Sequence, residues 1–429
     1  MTRPQSIRLD MFPSNWRPIR IKDICDLNGR IGFRGYTNDD IVGENEGAVT
    51  LGPGNLAGMS MDYTSSKYLS WEKYYESPEI MVHEGDIILA KTASVGKYAY
   101  VDRLLRETTV NPQLLVLNHF RGVNSKYLAY VIGGTFFTDQ FMREVIGSTI
   151  LTISQGAIGN IVVMLPTIEE QEKIVNYLDE KTSQIENYIS EREKELRQLR
   201  RFKQAKINEV VVKGLDSEAR LIDSGVTWLG KIPAHWQIKR MKDIFIESDE
   251  LSTTGKEELL SVSEYYGVAR RKERMSDDEE FETRADSLEG YKICHPGDLV
   301  SNIMLTWKRA LGISDYEGIV SPAYAVYKGI GIEPKYYHYL LRSDMYIAEF
   351  KRNSTGIIES RLRLYTDRFY AINAIYPPLS EQKKIAEYLE KECALIDRKC
   401  TLIEEQIEKL QLLKHALVDE VVSGKRKLS

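Results

Sequence analysis

The stretch PTIEEQEKIVNYLDEKT, residues 166–182, recurs as PPLSEQKKIAEYLEKEC at residues 377–393, with seven of its seventeen residues identical. The two copies align without a gap at a constant offset of 211 residues, the distance from Pro166 to Pro377, and the match continues to Val211 and Val422. A helix requires such constant spacing, because one inserted residue would rotate every later side chain by about 100°. The sequence therefore predicts the same long helix twice, over residues 165–214 and 376–429.

Each copy carries apolar side chains at heptad spacing, and Gly214 and Gly424 follow the last periodic positions as helix C-terminal stops. Near-identical helices with matched apolar stripes most simply bury those stripes against each other, so we predict two long antiparallel coiled-coil helices with Cys393 and Cys400 in their core. The alternative is that each stripe packs on its own domain. The predicted interface consists of Leu178, Ile185, Ile189, Leu196 and Leu199 in the first helix and Leu389, Ile396, Ile403 and Leu410 in the second.

The regions that precede the two helices share a looser set of landmarks. SNWRPIRIKDIC at 14–25 resembles AHWQIKRMKDIF at 234–245, and NPQLLVL at 111–117 resembles SPAYAVY at 321–327. Runs such as DIILAKTA and GDLVSNIML predict strands, whereas SKYLAYVIGGTFFTDQFMREV and PKYYHYLLRSDMYIAEFKR predict helices. We therefore predict an α+β fold in which two α/β globular domains, 1–164 and 215–375, are separated by the long helices and form a pseudo-twofold internal repeat.

The composition excludes several classes of protein. The 429 residues are 42% hydrophobic and contain no run near twenty apolar residues, and the N-terminus lacks the core of a secretory signal, so we expect a cytoplasmic protein without a membrane segment. The four cysteines lack CxxC pairing and the six histidines lack metal-ligand spacing, so no metal site is expected. No phosphate loop, HExxH or GxSxG motif is present, so we predict no catalytic residue.

Basic and aromatic clusters in the two domains are candidate DNA contacts, because lysine and arginine neutralise phosphates and arginine can read guanine. The formal net charge of −5 argues against a generally cationic surface but leaves room for local basic grooves. A solvated charged face is the alternative, since an acidic run at 277–280 follows the largest cluster. The predicted DNA-binding residues are Tyr265, Tyr266, Arg270, Arg271, Lys272, Arg274, Trp307, Lys308, Arg309, Arg361 and Arg363 in the second domain, and Lys67, Lys91, Ser94, Lys97, Asn111 and Gln113 in the first.

Four segments carry a resemblance to a known family. EEQEKIVNYLDEKTSQIENYI at 169–189 and SEQKKIAEYLEKECALIDRKC at 380–400 resemble the two repeated helical regions of the specificity subunit of type I restriction–modification enzymes. GVTWLGKIPAHWQIKRMKDIF at 225–245 and YEGIVSPAYAVY at 316–327 are similar to segments of that family's second domain. The resemblance covers essentially the whole chain, with domain loops that vary within the family.

The resemblance implies a function that composition and spacing do not give. Each globular domain would be a target recognition domain that reads one half of a bipartite, asymmetric site in double-stranded DNA. The helix pair would set the gap and dock two methyltransferase subunits, and restriction/translocase subunits would complete a complex that defends against foreign DNA. The chain itself would bind no cofactor, since S-adenosylmethionine, ATP and Mg²⁺ would act through the partner subunits.

A rival hypothesis is a duplicated DNA-modifying enzyme, a transferase or a nuclease, with its site between the halves. The sequence Asn111-Pro112-Gln113-Leu114 is weakly similar to the NPPY loop of N6-methyltransferases, but the second proline and the base-stacking aromatic are missing. The missing motifs favour the non-catalytic recognition subunit.

Overall fold

The computed structural model describes residues 11–30, 35–270 and 287–428. The chain forms two compact units: unit 1 comprises Met1–Arg192 with Glu405–Ser429, and unit 2 comprises Glu193–Glu404. Each long helix is shared between the two units, because the unit boundaries fall inside both helices. The compact units therefore do not coincide with the domain limits inferred from sequence, which stay a prediction.

Unit 1 contains ten strands, five whole helices and part of each long helix among its described residues. The strands are β1 Arg17–Arg20, β2 Asp26–Gly29, β3 Ile41–Val42, β4 Gly47–Leu51, β5 Lys67–Ser70, β6 Ile87–Ala90, β7 Tyr98–Tyr100, β8 Thr108–Val110, β9 Leu114–Asn118 and β10 Val162–Leu165. The helices are α1 Ile21–Ile24, α2 Trp71–Tyr75, α3 Ser125–Ile132, α4 Thr135–Arg143, α5 Gln155–Asn160 and the start of α6 Ile168–Lys213.

Three sheets organise unit 1. An antiparallel sheet has the order β2-β9-β6-β7, a second sheet has the order β3-β5-β4-β8 with a parallel β4–β8 pair, and β1 pairs with β10. Strands β6 and β9 are buried on both faces, so they read as continuous apolar runs without alternation. The helices α3 and α4 share a core with one face of β6 and β9.

Unit 2 contains twelve strands among its described residues, together with α7, α8 and α9. The strands are β11 Leu221–Asp223, β12 Lys231–Pro233, β13 Gln237–Arg240, β14 Phe245–Glu247, β15 Leu260–Ser263, β16 Gly267–Arg270, β17 Lys292–Cys294, β18 Leu299–Asn302, β19 Leu311–Ile313, β20 Gly318–Val320, β21 Tyr324–Gly329 and β22 Asn373–Tyr376. The helices are α7 Pro334–Leu341, α8 Asp344–Asn353, α9 Thr366–Ala371 and the start of α10 Leu379–Val422.

The two units repeat one framework. Unit 2 has an antiparallel sheet β14-β21-β18-β19 that corresponds to β2-β9-β6-β7, and β13 pairs with β22 as β1 pairs with β10. The rest differs, since unit 2 has the two-stranded ribbons β15–β16 and β17–β20 where unit 1 has its second four-stranded sheet, and a further ribbon β11–β12 precedes β13. The predicted α+β fold with an internal repeat is confirmed.

The helical segments that follow β9 and β21 are each broken in two. In unit 1 the break falls at Gly133-Gly134, and a Cβ added to Gly133 would lie 2.2 Å from the Tyr98 hydroxyl oxygen. In unit 2 it falls at Arg342-Ser343, where the buried Ser343 hydroxyl donates to the Leu340 carbonyl at 2.7 Å. The chain turns at these points, so α3 and α4, like α7 and α8, are separate helices.

The repeated Glu-Gln pair is explained by the start of each long helix. The buried Gln171 amide accepts from the Asn124 N–H at 2.8 Å and donates to the Pro166 carbonyl at 3.1 Å. Gln382 is equally buried, accepts from the Glu333 N–H at 2.8 Å and donates to the Pro377 carbonyl at 2.8 Å. Each glutamine therefore ties a long helix to the loop that opens α3 or α7.

The glutamate of the pair holds a buried tryptophan. The Trp16 indole N–H donates to Glu170 at 3.1 Å, and the Trp236 indole N–H donates to Glu381 at 2.9 Å. Because a buried indole needs an acceptor, the repeated motif places one where each domain meets its helix.

The long helices end at the predicted glycines. α6 has 46 residues and α10 has 44, and Gly214 and Gly424 follow them with φ of +79° and +69°, the left-handed region that terminates helices. A Cβ on Gly214 would approach the Trp236 ring at 3.0 Å, and one on Gly424 would lie 2.4 Å from Pro13. No helix in the described part of the chain is long and apolar enough to cross a membrane.

In each unit, a segment of α6 runs antiparallel to a segment of α10. In unit 2 the Lys203 ammonium lies 2.6 Å from the Asp397 carboxylate, and Arg200 pairs with Glu404 further along. In unit 1, Lys414 lies 3.2 Å from Glu186. The predicted long antiparallel helices are therefore present.

The heptad stripes are mostly buried. Leu178 packs with Leu417 and Val421 in the core of unit 1, and Leu389 packs with Ile207 and Val211 in that of unit 2. Leu196, Ile396 and Ile403 are buried, and Ile185, Ile189, Leu199 and Leu410 are partly buried. Cys393 and Cys400 are buried free thiols whose pKa burial raises, which suits small core residues. The residue-by-residue interface stays a prediction.

Candidate DNA interface

In unit 1, the loop between β6 and β7 meets the turn before β9. The Lys91 N–H donates to the Gln113 carbonyl at 2.9 Å, and Ser94 and Lys97 follow in the same loop, where the Lys97 N–H donates to the Ser94 carbonyl at 3.3 Å. Asn111 opens the turn and accepts the Gln113 N–H at 2.9 Å. Five of the six predicted positions are thus brought to one end of the sheets.

Lysine 67 joins these positions through strand register. In the second sheet it lies opposite Thr50, and Thr50 lies beside Thr109, two residues before Asn111. Its side chain is exposed. All six predicted positions of unit 1 therefore lie at the same end of its sheets.

The Lys91 ammonium is the most constrained cation of this group. It is partly buried, and burial lowers the pKa of Lys91 below its ordinary value. Among the described residues no carboxylate lies within ion-pairing distance of it. A desolvated cation without an internal counterion binds an external anion such as a phosphate favourably.

The side-chain amides of Asn111 and Gln113 are partly used within the turn. The Asn111 amide donates to the Gln113 amide oxygen at 3.2 Å. An amide held in this way has a fixed orientation, which is what reading a base edge requires. A third amide, Gln155, donates to the Leu27 carbonyl at 2.6 Å beside this loop.

In unit 2, the equivalent loop between β18 and β19 carries Trp307 and Lys308. The Trp307 indole N–H donates to the Met304 carbonyl at 3.0 Å, and its ring has the Lys308 and Lys351 ammonium groups 5.0 and 5.1 Å from its centroid. Arg363 approaches the same loop, with its guanidinium 3.8 Å from the Met304 sulfur. Trp307, Lys308 and Arg363 therefore form one cationic surface.

Arginine 361 lies at the start of the return segment that leads to Arg363, and it is exposed. The Arg363 N–H and the Thr355 carbonyl are joined at 3.0 Å, which fixes the segment against the end of α8. Neither arginine has a carboxylate within ion-pairing distance among the described residues.

Arginine 309 is directed inward instead. Its backbone has φ of +67°, its Nε–H donates to the Arg342 carbonyl at 3.1 Å, and its guanidinium pairs with Asp344. With its charge neutralised and its donors engaged, Arg309 is suited to holding the loop in shape. Its assignment as a DNA contact stays a prediction.

Tyr265 and Tyr266 stand at the exposed tip of the β15–β16 ribbon. The Arg342 guanidinium supports this tip by donating to the Glu264 and Tyr265 carbonyls, both at 2.9 Å, and burial lowers the pKa of Arg342 to about 10. Both tyrosines line a cavity of about 490 Å³ that also contacts Arg309 and α6. The structure thus places both tyrosines beside this cavity.

The basic stretch at 268–275 is only partly described. Arg270 forms an ion pair with Glu258 at 3.2 Å and lies over the Tyr316 ring at 4.8 Å. The predicted residues Arg271, Lys272 and Arg274 lie outside the described residues, as does the acidic run that follows them.

Sequence reasoning missed two parts of these surfaces. Lys351 lies at the end of α8 and reaches Trp307 across the fold, and its only sequence signal was its place in a basic helix end. The exposed aliphatic residues Ile150 and Ile357 follow α4 and α8, and nothing in their own loops marked them as part of these surfaces. Their positions became visible only through the fold.

Comparisons with known proteins agree with the shared framework. Residues 13–196 match the family described as "Type I restriction modification DNA specificity domain". The sequence is similar to the type I restriction enzyme MjaVIII specificity subunit of Methanocaldococcus jannaschii, at 22% identity over 96% of this chain and 93% of that protein.

A solved structure shares the fold of this chain. A chain from "Structural basis underlying complex assembly and conformational transition of the type I R-M system" has a TM-score of 0.67 at 16% identity, covering 97% of this chain and 99% of that one. The HsdS subunit from Thermoanaerobacter tengcongensis has a TM-score of 0.48 at 16% identity, covering 97% of this chain and 98% of that one.

Proposed function

Because the chain belongs with the specificity subunits of type I restriction–modification enzymes, we propose that each of its two α+β domains reads one half of a bipartite DNA site. Specificity subunits are the DNA-recognition subunits of these complexes and are not catalytic, as the sequence predicted. The proposal rests on a repeated framework with unlike loops. In each unit, cations lie at the equivalent end of the equivalent sheet, β2-β9-β6-β7 in unit 1 and β14-β21-β18-β19 in unit 2.

The loops divide into phosphate-binding and base-reading positions. Lys91, Lys97 and Lys308 are point charges suited to phosphates, which position a protein on DNA without carrying sequence information. Gln113 and Arg363 have the planar donor groups that read base edges, glutamine on adenine and arginine on guanine. Since the two loop sets differ, the two half-sites differ, and the whole site is asymmetric.

The long helices set the gap between the half-sites and dock two methyltransferase subunits. Exposed apolar side chains on these helices support this role: Tyr188, Leu412 and Leu413 in unit 1, and Phe202, Leu395 and Leu402 in unit 2. Phe202 and Leu413 occupy equivalent positions at the repeat offset of 211 residues. One apolar position shared by the two helices suits contact with two copies of one partner.

The cofactors and remaining partners follow from the same assignment. S-adenosylmethionine, ATP and Mg²⁺ act in the methyltransferase and restriction/translocase subunits, and this chain binds none of them. The assembled complex acts on double-stranded DNA in the cytoplasm and serves in defence against foreign DNA.

The test is a binding selection on randomised duplex DNA with the chain assembled with its methyltransferase subunits. The expected enriched sequence has two unlike half-sites separated by a fixed, unread gap. Mapping methylated adenine in the source cell should return the same sequence. Enrichment of a continuous palindrome, or of no sequence, would refute the proposed function.

A further inference from the structure

Each unit contains a tight hairpin at the same place in its framework. Residues 146–152 lie between α4 and α5, and residues 355–363 lie between α8 and α9. The first is closed by reciprocal backbone hydrogen bonds between Ile146 and Thr152 at 2.8 and 2.9 Å, and the second by those between Thr355 and Arg363 at 2.9 and 3.0 Å. The two hairpins differ in length, yet both begin in the same way.

A glycine follows the first closing residue in both hairpins. A Cβ added to Gly147 would lie 2.3 Å from the Ile150 carbonyl oxygen, and one added to Gly356 would lie 2.5 Å from the Arg361 carbonyl oxygen. Any larger residue would have to displace backbone. The close turn is therefore shared by both copies of the repeat, although the other loops of the two units differ.

Both tips expose branched aliphatic side chains. In unit 1 the tip residue Ile150 is 62% exposed, as is the closing residue Ile146 at 67%, and in unit 2 Ile357 and Ile358 are 100% and 52% exposed. Single exposed apolar residues are common on protein surfaces. These residues occupy different places within the two hairpins, but their recurrence in the same hairpin of two otherwise unlike domains indicates a shared partner.

The hairpins are joined to the cationic loops described above. In unit 1 the Ile153 N–H donates to the Lys91 carbonyl at 2.9 Å, and in unit 2 the Leu364 N–H donates to the Ile303 carbonyl at 2.9 Å. The base of each hairpin is thereby joined to a loop that carries cations. The second hairpin also contains Arg361 and Arg363 itself.

Charge complementarity identifies the partner as duplex DNA. An apolar tip flanked by cations matches a groove in which stacked bases lie between two rows of phosphates. In the second hairpin Arg361 and Arg363 outnumber the one carboxylate, Glu359, which pairs with Lys351 at 2.5 Å. A docking site for an apolar protein surface would not need this excess of cations.

We propose that the two hairpin tips are apolar wedges, led by Ile150 in unit 1 and Ile357 in unit 2, that enter the DNA groove and press between base steps. The neighbouring lysines and arginines hold the flanking phosphates. Proteins that insert apolar side chains in this way unstack a step and kink the duplex. The proposal rests on the proposed function and adds an apolar contact to its polar base reading.

The experiment uses the complete complex and the duplex enriched by the wild type from the randomised pool. Ile150→Ser and Ile357→Ser should each weaken binding about tenfold to a hundredfold, the effect of withdrawing one buried aliphatic side chain. With 2-aminopurine placed in turn at each step of the half-sites, the wild-type complex should raise the fluorescence at one step. The corresponding variant should abolish that rise.

Matched controls have similar exposure but lie at the other end of the sheets. Leu105, 64% exposed, lies between β7 and β8, and Ile246, 54% exposed, lies opposite Lys328 at the far end of β21. Leu105→Ser and Ile246→Ser should bind like the wild type. Melting temperatures of all four variants establish that they are folded.

The outcomes separate the wedge from the proposed function. If the wild-type complex enriches no bipartite sequence, the proposed function fails. If it does, the proposed wedge is refuted by either of two results: Ile150→Ser and Ile357→Ser bind DNA like their controls, or the 2-aminopurine fluorescence rises at no base step. Loss of methyltransferase subunits from these variants, measured by mass photometry, would make the hairpins protein-docking sites and overturn the proposal.

Discussion

Replacing Gln382 with leucine should destabilise the native state, because its amide joins the start of α10 to the loop that opens α7. The change removes the hydrogen bond accepted from the Glu333 N–H and the one donated to the Pro377 carbonyl, both at 2.8 Å. Each buried backbone group left without a partner lowers the free energy of unfolding by about 1–3 kcal/mol. Burial of the apolar leucine side chain offsets part of this loss. We expect a net loss of about 2–4 kcal/mol.

The free energy of unfolding can be measured by urea denaturation followed by circular dichroism. Hydrogen exchange supplies the local readout, because the amide of Glu333 should exchange much faster once its acceptor is gone. Gln171→Leu should reproduce the effect in unit 1, where the Asn124 amide is the one released.

Gln406→Leu is the matched control, since Gln406 is an exposed residue of α10. Its effect should stay within about 0.5 kcal/mol, as for most surface substitutions. If Gln382→Leu cost no more than this control, the buried glutamine would not be the tie between helix and domain.

Three further predictions concern function and pH. Deleting about four residues, one turn, from both long helices should shift the preferred gap by about one to two base pairs, at about 1.5 Å per residue and 3.4 Å per base pair, and leave both half-sites unchanged in a binding selection. If the Arg363 side chain reads a base, Arg363→Ala should lower the DNA-binding free energy by about 1–3 kcal/mol and relax one position of one half-site. Lys91→Ala should instead weaken binding to all sequences and lower the salt dependence of binding by about one phosphate contact. If the two variants showed the opposite effects, Arg363 would be the phosphate contact and Lys91 the base contact. Burial lowers the pKa of His338 from 6.5 to about 3, so between these values the unfolded chain binds a proton that the native state does not. Stability should therefore fall as the pH decreases through this window, by roughly 1.4 kcal/mol per pH unit at most, and His338→Gln should flatten the dependence; an unchanged slope in that variant would assign the titration to other groups.

Many features of the long helices could be read from the sequence because helical structure is local. A constant offset of 211 residues, heptad spacing and the two terminal glycines predicted α6, α10 and their ends, since side-chain position on a helix follows directly from residue spacing. The strands β6 and β18 were likewise predicted from the runs DIILAKTA and GDLVSNIML. The candidate loops could be found as clusters of charge.

The orientation of single side chains was decided by the tertiary structure. Arg309 and Lys308 are neighbours in one basic run, yet Arg309 is neutralised by Asp344, 35 residues away, while Lys308 lies beside Trp307 on the surface. Lys351 reaches the same ring from another helix, and the aliphatic tips at Ile150 and Ile357 lie beside the cationic loops. The sequence by itself determined the repeat and its helices through periodicity, whereas partners distant along the chain, which carry no periodic signal, determined which cations face solvent.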